Sequence, residues 1–598
     1  MIKQKKRSEM ERETTWALED LYESEAAFAE DVRILGREIE SFGDYQGRLG
    51  ESSELFLEML RSYCQMSQRF EKVYVYANQL LHQDMGDSKS QKMAGEMEIV
   101  MNQLNAASSF MVPEILTLED EKIREYLEEE PALLEFRRFL DNILRQKEHT
   151  LDARMEEVLA KAGDMAKGPS NIYAMFNNAD ITFQPVVTEE GEELALTQGR
   201  YVTFLESDNR GIRKQAFENL YAGYAGFKNT LAAVYEANAK QADFYARMRK
   251  YPSALEASLD EGNIPISVYD NLIASVHEHL EPMHRYLKLR KKVLGLEELH
   301  MYDIYVPMVS QAKRKLSFEE AKETVKRGLA PLGEQYLALL QKGFDNRWID
   351  VYENEGKRTG AYSWGAYGTH PYVLLNYQDN LNNVFTLAHE MGHALHSWYS
   401  DEAQPYLYAG YRIFVAEVAS TCNEALLIHD LMEHAKSKSE KAYLVNYFLE
   451  QFRTTLYRQT MFAEFEKYTH RVVNEGGTLN AEFLCDFYYQ LNQNYFGPDV
   501  VLDEQIRYEW SRIPHFYTPF YVYQYATGFS AAIAISTRIL KGDEQARKGY
   551  FKFLSGGSSM DPIDLLKLCG VDMTTKEPVE NALQVFSEYV GKFEELLD

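Results

Sequence analysis

Residues 383–398 read Asn-Val-Phe-Thr-Leu-Ala-His-Glu-Met-Gly-His-Ala-Leu-His-Ser-Trp, and their spacing predicts a helix with its chemistry on one face. With His389 at zero on a helical wheel, His393 falls at about 40° and His396 at about −20°. Val384, Leu387, Ala388, Met391, Ala394, Leu395 and Trp398 fall between about 140° and 260°, on the opposite side. One face anchors the helix and the other presents histidines. His-Glu-x-x-His stacks two imidazoles one turn apart, where both reach a single tetrahedral zinc ion. Glu390 lies about 100° round the helix, near the zinc-bound water that would act as nucleophile.

A third protein ligand is required. His396 stands roughly 10.5 Å along the axis from His389, too far to share one ion comfortably. A metzincin would carry Gly and His where this chain has His396 and Tyr399, so that class is excluded. A downstream carboxylate remains. Residues 411–435 read as one long helix carrying Glu417 and Glu424 seven residues apart, and spacing alone leaves both open. Upstream, residues 357–380 are rich in Gly and aromatics. Pro371 to Tyr377 reads as a strand opened by a proline, as edge strands tolerate, and such an edge could pair with a substrate main chain. His277-Glu278-His279 has the wrong spacing for a helical zinc site, and His429 and His434 read as ordinary helix residues.

The rest of the 598-residue chain reads as helical, with only 16 prolines. Leu55, Met59, Leu60, Tyr63, Met66, Phe70 and Val73 follow three- and four-residue spacing. One break falls at residues 166–200, where alternation in 181–184 and 194–197 around Glu-Glu-Gly reads as a β-hairpin. We therefore draw one boundary near 195: a helical N-terminal part, 1–195, ending in the hairpin, and a catalytic part, 196–598, with a small sheet beside the metal helix. No fixed-period repeat or low-complexity linker separates them. The composition, 45% hydrophobic and 26% charged, excludes a disordered chain. A net charge of −28 disfavours nucleic acid and anionic membrane as partners. The first residues lack the apolar run of a secretory signal, and no window is long enough to span a bilayer. Cys64, Cys422, Cys485 and Cys569 lie far apart with no C-x-x-C pair, which reads as reduced thiols of a cytoplasmic protein.

Tyrosine is abundant, at 41 residues, of which 20 lie between 361 and 530. The densest run, Pro514 to Gly528, holds His515, Tyr517, Tyr521, Tyr523 and Tyr525, which suits an aromatic-lined cleft with polar tips. His389 to His396, followed by Phe414-Val415-Ala416-Glu417-Val418-Ala419-Ser420-Thr421, resembles the oligoendopeptidase F group of thimet-oligopeptidase-like zinc metallopeptidases. The likeness extends to Trp16-Ala17-Leu18-Glu19-Asp20-Leu21-Tyr22, to Asn177-Asn178-Ala179-Asp180-Ile181 and to the segment from His515 to Gly528. It implies a mainly α, two-lobed gluzincin with a deep channel, one zinc ion per chain and short peptides as substrates. It implies Glu417 as third ligand, leaving Glu424 to hold a ligand imidazole in orientation. It further implies Glu390 as general base, Tyr523 and His515 as oxyanion donors, and Tyr517, Tyr521 and His396 as substrate contacts. Two alternatives stand beside this endopeptidase. One is a zinc carboxypeptidase using Arg412, Arg453 or Arg512 for a terminal carboxylate. The other is a peptide-binding protein with an inert metal, against which the presence of Glu390 argues.

Overall fold

The computed structural model describes residues 4–309 and 315–598. The chain forms two compact, mainly helical units, each gathered from three stretches. The first comprises Met1–Thr150, Lys313–Asp430 and Ile535–Gly570; the second comprises Leu151–Ala312, Leu431–Ala534 and Val571–Asp598. The sequence reading drew its one boundary near 195, whereas compact packing draws its first at 150–151.

In the first unit, three helices, α1 (Glu25–Phe42), α2 (Ser53–Gln83) and α3 (Ser88–Ser108), pack on one another. Each opens on a side-chain cap, Ser24, Ser52 and Asp87, which satisfies an otherwise unpaired backbone N–H. Their apolar stripes bury Leu35, Phe42, Phe56, Met59, Leu60 and Met97 in one core, which Tyr372 and Leu374 complete. Those two residues belong to a three-stranded sheet of β1 (Ile349–Asp350), β2 (Tyr362–Trp364) and β3 (Tyr372–Leu374).

The strand order corrects one expectation. Strand β3 lies in the centre, parallel to β1 and antiparallel to β2, so residues 371–377 are not an edge. Pro371 precedes the paired residues, and its missing N–H falls outside the ladder. The exposed-edge role passes to β2. Val373 and Leu375 donate to Trp348 and Asp350 on the β1 side. Tyr372 and Leu374 therefore face Trp364 and Tyr362, and Ser363 turns its backbone N–H and C=O away from β3.

After β3 comes α4 (Leu381–Ala403), capped by Asn380 and carrying the His-Glu-x-x-His motif. It packs against β2 and β3, as the sequence reading placed it. Its buried side holds the apolar residues named from the wheel, and Trp398 at its end stacks on Trp348 with ring centres 5.2 Å apart. Helix α5 (Ile413–Glu433) follows.

The second unit contains the hairpin, but shorter and shifted. Val186–Val187 pairs with Glu193–Leu194, and residues 181–184 are unpaired. Phe183 is drawn instead onto the helix Arg210–Ala225, where its ring lies 5.8 Å from that of Tyr224. Gly223 makes room for it; a Cβ there would meet the ring at 2.8 Å. Among the described residues no helix is long and apolar enough to cross a membrane, and all four cysteines are free.

Candidate metal centre

The site begins with a close helix crossing. A Cβ at Gly392 would sit 2.6 Å from the Cα of Ser420, so only glycine lets α4 and α5 approach this closely. One α4 turn earlier, the buried Asn423 side chain donates to the carbonyl of Ala388 at 3.0 Å and locks the register. The crossing brings α5 under the histidine face.

Three ligand atoms then meet. His389 Nε2 and His393 Nε2 lie 3.2 Å apart. Glu417 Oε2 lies 3.4 Å from the first and 3.5 Å from the second. In a tetrahedral zinc site with bonds near 2.0–2.2 Å, ligand atoms stand about 3.4 Å apart. The spacing fits that ion, and two imidazoles with one carboxylate form the donor set of a catalytic site that keeps a position open. Among the described residues this is the one His, Cys, Asp and Glu group so arranged.

The second glutamate takes the other side of the same ring. His389 Nδ1 lies 2.5 Å from Glu424 Oε1, which fixes the imidazole with Nε2 toward Glu417. Two turns of α5 separate the glutamates, and one imidazole spans between them. Ser420 Oγ donates to Glu417 Oε2 at 2.9 Å and steadies it. The meeting point favours positive charge. Burial opposes ionisation of His389, but the Glu424 hydrogen bond and the charges of Glu424, Glu417 and Glu390 outweigh it and push its pKa up to about 9. Burial likewise opposes the Glu417 carboxylate, yet His393 and His389 hold its pKa down at about 2. Glu390 is 7% exposed, and burial, with Glu417 and Glu424 adding, raises its carboxyl above the usual range.

We expect Glu417→Ala to remove stoichiometric metal from the purified protein. Glu424→Ala should weaken metal affinity or activity by roughly 10- to 100-fold without abolishing binding. Metal content after dialysis decides it. Loss of metal in Glu424→Ala with retention in Glu417→Ala would reverse the two roles.

His396 is 1% exposed, and its immediate neighbours are aromatic rings. Its ring stacks flat on Tyr411 at 3.8 Å and leans on Phe553 at 5.1 Å, and burial drives its pKa down to about 3. Tyr411, which sequence reasoning missed, is thereby held near the centre, with its hydroxyl 3.2 Å from Ser397 Oγ. Burial, Asp401 and the charges of Glu417 and Glu390 raise its pKa to about 12.

His515, Tyr517, Tyr521 and Tyr523 belong to the second unit. His515, Tyr521 and Tyr525 form a cluster of rings, with centres 5.4–6.2 Å apart. Tyr517 instead stacks on Tyr173 at 4.1 Å. Tyr523 is 3% exposed and packs on Tyr269 at 4.9 Å. Between Tyr517 and Tyr521 the backbone reverses at Phe520, whose φ of +59° is a left-handed conformation unusual for a bulky residue. Glu466 holds it there by accepting from the Phe520 N–H at 2.7 Å. That carboxyl is fully buried, and burial raises its pKa well above the usual range.

Known proteins are similar to this chain over nearly its full length. The family profile described as Peptidase family M3 matches residues 203–585, and the one described as Oligopeptidase F matches residues 114–183. The chain is 46% identical to oligopeptidase PepF of Bacillus subtilis over 591 residues, 99% of this chain and 88% of that protein. It is 37% identical to an oligoendopeptidase F homolog of Lactococcus lactis subsp. lactis across 99% of both chains. Among solved structures, oligoendopeptidase-F from Enterococcus faecium matches with a TM-score of 0.75 and 37% identity, covering 96% of this chain and 99% of that one. A solved Chlamydophila abortus protein matches with a TM-score of 0.93 at 32% identity, covering 99% of this chain and all of that one. The chain therefore belongs to peptidase family M3, as a metallo-endopeptidase of the oligoendopeptidase F type.

Proposed function

We propose that this peptidase is a zinc enzyme that cuts internal bonds of short, unstructured peptides, with His389, His393 and Glu417 as ligands and Glu390 as general base. The observation that carries the reading is the meeting of three ligand atoms within 3.2–3.5 Å, with a buried glutamate on the same helix. Zinc bound there would supply Lewis acidity toward the scissile carbonyl and a lowered pKa for water. Glu390 takes a proton from the attacking water and returns it to the leaving amine. Tyr523 and His515 donate to the oxyanion as charge develops on it, while Tyr517 and Tyr521 line the substrate. The free edge of β2 at Ser363 pairs with the substrate main chain, which reads extended peptides of many sequences. The four free thiols suit a reducing compartment, and we place the enzyme in the cytoplasm.

The deciding experiment pairs metal analysis with hydrolysis of an internally quenched, C-terminally amidated peptide, with and without chelator. One zinc per chain and chelator-sensitive cleavage are expected. Activity indifferent to chelation would overturn the reading. Substrate length gives a second expected outcome. The implied channel, with residues 1–195 as one wall, admits an extended chain but not a folded domain on the order of 30 Å across. Peptides of roughly five to twenty residues should capture the available binding energy. A length series against intact casein tests it; comparable kcat/KM on casein would exclude a closed channel.

A further inference from the structure

The second unit holds a partly open cavity of about 160 Å³ whose polar lining includes Arg453, Arg458, Arg512, Glu509, Tyr201 and Tyr305. Its charge does not balance. Arg290 and Arg453 share one carboxylate, Glu450, at 2.5 and 2.6 Å. Arg458 and Arg512 share another, Glu509, at 2.8 and 3.3 Å. Four guanidinium groups thus meet two carboxylates. Glu509 is already committed further, since Tyr488 donates to it at 2.6 Å and Tyr221 at 3.3 Å. Glu450 also accepts from Tyr286.

Arginine cannot shed its proton, so this excess cannot be relieved by titration of the guanidinium groups. Leaving buried charge uncompensated is costly, and the chain as a whole is acidic, at −28, so the cationic interior does not reflect composition. The local backbone is built to make it. Phe452–Tyr457 is a π-helical turn, a form that recurs at functional sites. The wider turn brings Arg453 and Arg458, five residues apart, toward one face, where a regular helix would splay them by about 140°. Arg453 spends Nε and one terminal nitrogen on Glu450 and lays its guanidinium over the Tyr305 ring at 4.7 Å. Arg512 Nε is buried with no hydrogen-bond partner. Although burial resists ionisation of Tyr305, the charges of Arg458 and Arg453 draw its pKa below the ordinary value, which reports the same positive field.

We propose that this cavity binds a small inorganic anion, held by Arg453, Arg458 and Arg512 with the Tyr305 hydroxyl as an additional donor. The site lies wholly within the second unit and uses none of the residues assigned to hydrolysis. Its test therefore reads binding, independently of the metal centre.

Full-length protein exchanged into a buffer with a bulky organic anion is titrated with sodium phosphate and, separately, sodium bromide at constant ionic strength. We expect a saturable rise in Tm and a one-to-one heat of binding with at least one of them. Tyr305→Phe leaves all the ion pairs in place and should weaken that binding by roughly tenfold. Crystals soaked in bromide should show an anomalous peak among the three guanidinium groups. A Tm that follows ionic strength alone, whichever salt is used, would overturn the proposal, as would bromide peaks confined to other places. Unchanged affinity in Tyr305→Phe together with an empty cavity would do the same.

Discussion

Glu390→Gln is expected to lower kcat by roughly 10²- to 10⁴-fold and to leave the metal content of the protein unchanged. The reason is positional. His389, His393 and Glu417 supply the three convergent atoms, and Glu390 is not among them. Its carboxylate is required for moving a proton, which glutamine cannot do. The substitution is nearly isosteric at a buried position, 7% exposed, so it should cost little packing. It also removes a negative charge beside two histidines, which makes retention of the metal a demanding check. Metal analysis and steady-state kinetics on the same preparation decide the matter. Metal loss would make Glu390 a ligand, and a kcat within a few-fold of the parent would leave the base unassigned.

Much of this centre was legible because one helix carries most of it. The period of α4 separates its anchoring residues from its histidines without any knowledge of neighbours. The third member of the group, Glu417, was not legible in that way. Glu417 and Glu424 share a face of α5, and periodicity cannot tell the two edges of one imidazole apart. The crossing at Gly392 does so, because it sets how far α5 reaches along α4, and its one signal was a glycine inside the motif. His396 shares the wheel angle of the other two histidines, but seven residues along the axis from His389 it meets Tyr411 and Phe553. Strand order is a long-range property, so Pro371 suggested an edge when it only starts a central strand. The arginine cavity gave no signal in sequence, since Arg453, Arg458 and Arg512 come together only through tertiary packing and a π-turn.

Tyr523→Phe should lower kcat by roughly 10²- to 10³-fold while KM changes little. The argument starts from the ring. Tyr523 opens the helix Tyr523–Leu540 and packs on Tyr269, so the phenylalanine ring would occupy the same space and the Tm should hold. Burial raises the pKa of its phenol, so the group remains a protonated donor across the working range of a peptidase. A donor fixed in position by packing loses little to reorganisation when charge develops on the carbonyl oxygen, and it acts more in the transition state than in the ground state. Tyr521 provides the internal control, because it sits in the ring cluster with His515 and Tyr525 and is the less buried of the two. As a substrate-lining residue, Tyr521→Phe should act mainly on KM. Equal losses of kcat in both variants would point to the Phe520 turn as a whole, and an unchanged kcat in Tyr523→Phe would return that residue to aromatic packing.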